Sequence, residues 1–271
     1  MGIWEAILLG LVEGITEYLP VSSTGHLLVT QRLLGIPENS QSNAYAICIQ
    51  AGAIVAVLGL YRSRVAQICR GLIGRDAEGA RLAVCLLTAF VPAGLLALIL
   101  QEPIARYLFQ PWPIVFAWIV GGVAILWLER SPFRHREVAL GLQSLAVRDA
   151  LIIGLVQSIA LLPGTSRSLV TIVGGIMVGL SVRAALEFSF LLGLVTLSAA
   201  TAYEGLAHSD AMIASFGWPA MIAGFVSAWL SALLAVRWAT QYLDRHGLAI
   251  FAYWRLAVGG AVAVLLLVGA L

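Results

Sequence analysis

The chain has 271 residues, of which 61% are hydrophobic and only 11% charged, with a net charge of +2 and a mean hydropathy of +0.95. A soluble domain carries about 25% charged residues, so a water-soluble globular enzyme and a disordered chain are excluded. The apolar runs are unbroken rather than alternating, which excludes an outer-membrane barrel and leaves a polytopic α-helical membrane protein. All sixteen basic residues are Arg, and no polybasic surface argues for nucleic acid. Cys48, Cys69 and Cys85 have no metal spacing and read as small buried thiols.

In chain order, residues 3–34 come first, an apolar stretch interrupted by Glu13, Glu17, Pro20, Gly25 and His26. The two acids also argue against a cleavable signal peptide. Apolar spans follow at 44–61, 82–101 and 107–128. Residues 150–182 are then split by Pro163, Gly164 and Arg167, and three more spans follow at 184–203, 211–236 and 248–271. The spans at 184–203 and 248–271 carry Glu187 and Arg255 in or near their apolar stretches. The two interrupted stretches each read as a pair of short helices joined by a polar break. A helix of about 11 residues reaches about 16 Å, half the hydrocarbon thickness, so each pair is expected to enter and leave on one side as a re-entrant hairpin. Bare backbone at the breaks is tolerated only if it is buried in protein or lines a wet cavity.

The arginines give orientation. Segments 62–81, 129–149 (with Arg134 and Arg136) and 237–247 are Arg-rich and expected in the cytoplasm. The short links 102–106 and 204–210, the latter holding Glu204 and Asp210, are expected outside. With these signs the first hairpin opens outward and the second inward, which makes two inverted repeats, about 1–130 and 148–271, of one membrane domain. Gly10-Leu11-Val12 with Leu19-Pro20 echoes Gly154-Leu155-Val156 with Leu162-Pro163. In such folds the broken helices meet near the midplane, so the two hairpins are expected to touch tip to tip.

Glu13 and Glu17 stand four apart, on one helix face. Two acids in low dielectric need a shared proton, a cation or an Arg, and ionisable groups inside a membrane mark function. The loop from Pro20 to His26 adds Ser22, Ser23 and Thr24. One hydroxyl serves as a helix cap, while His26 offers a nucleophile or a general acid/base. The second tip holds Pro163, Gly164, Thr165, Ser166, Arg167 and Ser168, with Thr171 one turn on. A helix N-terminus, an Arg fork and hydroxyls there form an anion cradle suited to phosphate. Arg183 and Glu187, four apart, read as a structural ion pair. Two acids, a candidate nucleophile and a phosphate cradle suit hydrolysis or transfer of a lipid-linked phosphate. The rival reading is a lipid-phosphate transporter or flippase, because inverted repeats with broken helices also serve alternating access. The nucleophile-rich first tip disfavours transport alone.

The run from Glu13 to His26, EGITEYLPVSSTGH, resembles the first signature of the undecaprenyl-diphosphate phosphatase (bacitracin-resistance) family, and Pro163 to Thr171, PGTSRSLVT, resembles its second. The similarity extends over essentially the whole chain, including Ile49-Gln50-Ala51-Gly52 and the run from Glu187 to Leu192. The resemblance implies an all-α inverted-repeat membrane protein with two re-entrant hairpins and about six full transmembrane helices. It implies hydrolysis of undecaprenyl diphosphate to undecaprenyl phosphate and phosphate, which recycles the lipid carrier of peptidoglycan synthesis and gives bacitracin resistance. It places the chain in the bacterial inner membrane with its site towards the periplasm, and a homodimer is compatible with it. Residue by residue, Glu13, Glu17, Ser23, His26 and Arg167 would be catalytic, with Ser23 or His26 the nucleophile. Ser22, Thr24, Gly164, Thr165, Ser166, Ser168 and Thr171 would bind substrate, and Glu13 and Glu17 would hold a divalent cation (Mg or Ca). Ala46 and Val195 stand where the family often has Glu and Pro, which bears on substrate positioning and helix kinking rather than on the chemistry.

Overall fold

The computed structural model of the chain describes residues 2–37, 40–133 and 139–271. Arg134 and Arg136 lie outside the described residues, as do the side chains of Glu204 and Asp210. Among the described residues the chain forms ten α-helices and no strand: α1 (Ile3–Thr16), α2 (Ser23–Leu33), α3 (Ser40–Leu60), α4 (Arg62–Leu72), α5 (Ala77–Tyr107), α6 (Pro111–Arg130), α7 (Val147–Gln157), α8 (Arg167–Met177), α9 (Val182–His246) and α10 (Ala249–Leu267). Five stretches are long and apolar enough to cross a bilayer: Ala77–Leu100, Pro111–Arg130, Val182–Tyr203, Ser215–Leu243 and Ala249–Leu267. The bent pair α3–α4, with 83° between its arms, makes up to a sixth.

Local chemistry sets the helix ends. Asp76 caps α5 by accepting from the Gly79 amide at 2.8 Å, and Ser181 caps α9 by accepting from the Ala184 amide at 3.2 Å. Pro111 opens α6, where a missing N–H costs nothing. The link 204–210 lies between the spans Val182–Tyr203 and Ser215–Leu243, and its backbone is helical. Two expectations are corrected. The span read as unbroken over 211–236 is interrupted at Gly217 (φ +72°), two residues before Pro219. A glycine in the left-handed region followed shortly by a proline interrupts a helix. The cysteines do not share one environment: Cys85 is buried, Cys48 half-buried and Cys69 exposed. Glu187 accepts from Arg64 Nε at 2.6 Å, a partner on α4 that the i, i+4 spacing with Arg183 does not reveal.

Four short helices form two pairs, α1–α2 and α7–α8. With 14 and 11 residues, α1 and α7 reach about 21 and 16 Å, short of the hydrocarbon thickness. The pairs end alike. Ser22 (φ 74°, ψ 99°) and Ser166 (φ 79°, ψ 113°) cap the second helix of each pair, and Gly35 and Gly179 close it in the left-handed region. The same sequence distance separates 22 from 166 and 35 from 179.

A seam of small residues positions the first pair. A methyl group on Gly10 would sit 2.3 Å from the Gly224 carbonyl, and one on Gly14 would sit 2.1 Å from Ser231 Oγ and 2.3 Å from the Ala228 carbonyl. Ser227 Oγ donates to the Ile7 carbonyl at 2.7 Å across the same interface. Backbones this close are how helices pack where lipid tails remove the hydrophobic incentive. With Gly10 and Gly14 held on α9, Glu13 faces inward and is buried. Gly10→Val is expected to lower the thermal midpoint of the detergent-purified chain by about 5 °C or more, the scale of core overpacking. An unchanged midpoint would contradict the seam.

Candidate active site

The site forms where the two tips meet. Glu17 is the cap at the end of α1, its N–H bonded to the Glu13 carbonyl at 2.9 Å. One oxygen of its carboxylate, Oε1, accepts from Arg167 Nη2 at 3.0 Å, and the other, Oε2, accepts from Ser23 Oγ at 2.5 Å. Ser23 and Arg167 are the first residues of α2 and α8. Each therefore follows a serine held at positive φ, whose hydroxyl accepts from a backbone N–H of the first turn: Gly25 for Ser22 at 3.4 Å and Leu169 for Ser166 at 3.2 Å. Non-glycine residues rarely adopt this conformation, and it persists where surrounding contacts over-determine it. Here it turns the first side chain of each helix towards the other tip.

Further bonds fix the guanidinium. Arg167 Nη1 donates to the Ser189 carbonyl at 2.9 Å, and its Cζ lies 5.3 Å from the centroid of the Tyr18 ring. Ser168 Oγ donates to the Leu19 carbonyl at 2.8 Å and is 2.9 Å from Ser166 Oγ, tying the second tip to the first. Thr171 Oγ1 is 2.7 Å from Ser189 Oγ and donates to the Arg167 carbonyl at 2.8 Å. Ser168 and Thr171 are thus buried in the framework behind the cavity.

A cavity of about 120 Å³ opens between the tips. Glu17, Ser22, Ser23, Thr24, Gly164, Ser166 and Arg167 line it, all of them named from the sequence, and Gln50 of α3 joins them. Gln50 was legible only as part of the Ile49–Gly52 resemblance. Thr165 does not line the cavity; its amide closes a turn onto the Leu162 carbonyl. His26 is not among the lining residues either. Its ring lies 5.0 Å from that of Trp118 and stacks on Trp254 at 6.2 Å. Its Nδ1 donates to the Ser22 carbonyl at 2.7 Å, and its Nε2 accepts from Trp254 Nε1 at 3.0 Å. Both nitrogens are engaged. A second cavity of about 630 Å³, walled mainly by apolar side chains of α5 and α9 such as Phe90, Leu95, Leu98 and Leu197, meets the first at Ala160, Leu197 and Arg167.

Among the described residues no three His, Cys, Asp or Glu side chains cluster. Glu13 Oε1, however, is buried without a hydrogen-bond partner one helical turn from Glu17. Glu13 does not line the cavity, but its unpaired oxygen beside a second acid is a donor set that suits a divalent cation.

The model of the bacitracin resistance protein BacA family matches residues 6–261. The chain is 46% identical over 257 residues to undecaprenyl-diphosphatase 2 of Rhodospirillum rubrum, covering 94% of this chain and 92% of that protein. It is 41% identical to undecaprenyl-diphosphatase 1 of Chromobacterium violaceum (95% and 94% covered) and 42% identical to the undecaprenyl-diphosphatase of Nitrosomonas europaea (94% and 91%).

The Glu17–Arg167 pair is almost wholly buried. Removing one member of such a pair strands the other charge, so Glu17→Gln is expected to cost about 3 kcal/mol of stability. Glu17→Gln combined with Arg167→Gln is expected to cost less than the sum of the two single changes, as measured by thermal melts in detergent. Strict additivity would contradict the pair.

Proposed function

The chain belongs to the bacitracin resistance protein BacA family, and from that premise we propose that it hydrolyses undecaprenyl diphosphate to undecaprenyl phosphate and inorganic phosphate. One observation carries the reading. A single carboxylate holds both a serine hydroxyl and a guanidinium at the mouth of a polar cavity that runs into an apolar groove. The polar end suits a diphosphate and the groove suits the first part of a prenyl chain, the rest lying in the bilayer.

In this mechanism Arg167 binds non-bridging phosphate oxygens through its guanidinium, and the start of α8 adds backbone N–H groups. Ser23 Oγ attacks the terminal phosphorus while its proton passes to Glu17 Oε2, the acceptor it already faces. The bond between that phosphorus and the bridging oxygen breaks, and undecaprenyl phosphate leaves with the electron pair. Water then attacks the phosphoserine, giving phosphate and restoring the hydroxyl. Glu13 and Glu17 would hold a divalent cation, Mg or Ca, which when bound neutralises phosphate charge. His26, whose two nitrogens are both engaged, supports the tip that carries Ser23. The transport reading is not favoured, because carrying a lipid requires no hydroxyl set against a carboxylate.

The α1–α2 and α7–α8 pairs serve as re-entrant hairpins of two inverted repeats, about 1–130 and 148–271. This reading is supported by the shortness of α1 and α7 and by the matching serine caps and closing glycines. By the charge rule the Arg-rich segments face the cytoplasm of a bacterial inner membrane, with the site reached from the periplasm.

Two measurements test these proposals. Purified chain in detergent is expected to release phosphate from undecaprenyl diphosphate, and Ser23→Ala to lower kcat on the order of a thousandfold. Acid quench is expected to trap acid-stable phosphate on residue 23; an acid-labile phosphohistidine at 26 would reassign the nucleophile. For topology, Gly2→Cys and Pro37→Cys are expected to react with an impermeant thiol reagent from the same face, and Ala146→Cys with Arg183→Cys from the opposite one, all four positions being exposed. Labelling of Gly2→Cys and Pro37→Cys from opposite faces would contradict a re-entrant hairpin.

A further inference from the structure

Arg255 sits seven residues into the apolar helix α10 and has no exposed surface. Among the described residues no carboxylate lies within ion-pair distance of it, and its partners are all backbone carbonyls. Nε donates to Trp118 at 3.3 Å and Nη2 to Ala117 at 2.7 Å, both on α6. Nη1 donates to Pro20 at 3.3 Å, and Nη2 also donates to Gly164 at 3.0 Å. Helix α6 makes room for the group, since a methyl on Gly121 would fall 2.2 Å from Nη2. A buried guanidinium without a counter-charge is costly in a membrane and calls for a function.

The two tip carbonyls supply one. Pro20 stands two residues before Ser22, and Gly164 two residues before Ser166, the pair of serines held at positive φ. One rigid planar group therefore holds the same position of both tips and anchors them to α6. We propose that Arg255 is a positioning residue that sets the two tips in register, so that Ser23 and Arg167 meet on Glu17. It touches neither cavity and acts through the backbone. Its fork matters more than its charge. A lysine ammonium is a single point and cannot span carbonyls on three elements.

The kinetic part of the test rests on the phosphatase reading, and a distance measurement separates the two. Arg255→Lys and Arg255→Met are each expected to lower kcat for undecaprenyl diphosphate by about tenfold or more, with KM changed by less than about threefold. Gly121→Ala is expected to lower kcat in the parent chain and to have no further effect in Arg255→Met, because both changes remove the same clasp. Spin labels at positions 24 and 162, one on each tip, are expected to give one narrow distance in the parent and a broadened distribution in Arg255→Lys. Arg255→Lys with parental kcat and a parental distance distribution would overturn the proposal. So would additive losses in the Gly121→Ala cycle, or failure of all three variants to fold. Absence of phosphate release by the parent chain would instead count against the phosphatase reading, and the label distances would still decide the clasp.

Discussion

A single carboxylate joins two segments that lie 150 residues apart: Glu17 receives Arg167 on one oxygen and Ser23 on the other. Neither donor can reach it unless α1 stops at Glu17 and α2 and α8 begin at the serine and arginine themselves. The remaining features follow from this requirement. The helices flanking the tips are short, the capping serines take a left-handed backbone, and a glycine seam draws α1 onto α9 so that both acids face inward. Inside a membrane these polar ends are tolerable because Ser168 of the second tip satisfies the Leu19 carbonyl of the first, Trp118 and Arg255 satisfy the Val21, Pro20 and Gly164 carbonyls, and both tips line a polar cavity.

The same arrangement separates charge from hydrocarbon. The polar cavity holds the hydroxyls and the carboxylate, the groove is walled by aliphatic and aromatic side chains, and Arg167 stands at the junction. A substrate with an anionic head and a long apolar tail matches both halves at once, which neither a free phosphate nor a neutral lipid does. Low dielectric around the junction strengthens each charge–dipole contact to the head.

Much of this was legible in the sequence because a membrane makes polar residues conspicuous. Glu13, Glu17, Pro20, Pro163 and Arg167 interrupt apolar runs and so located both tips, and the inverted repeat read from the arginines proposed their meeting. Features that depend on distant partners were not legible. The ring of His26 is held by Trp254, 228 residues away, and Glu187 is bonded by Arg64, 123 residues away. No local spacing encodes either contact. Gln50 lies in an ordinary apolar helix and becomes notable only when α3 packs beside the tips. The break in α9 at Gly217, where a left-handed glycine precedes Trp218-Pro219, falls inside the apolar run 211–236 that read as one unbroken span. Arg255 stood out as a charge in an apolar helix, but its four carbonyl partners belong to three other elements and could not be foreseen.

The most direct measurement is an experimental structure of the chain with a phosphate analogue such as vanadate bound. The expected result places the metal-oxide centre within bonding distance of Ser23 Oγ, its oxygens on the Arg167 guanidinium, and Glu17 still between the two tips. An analogue bound against the His26 imidazole, or at a position remote from Arg167, would contradict the shared-carboxylate site.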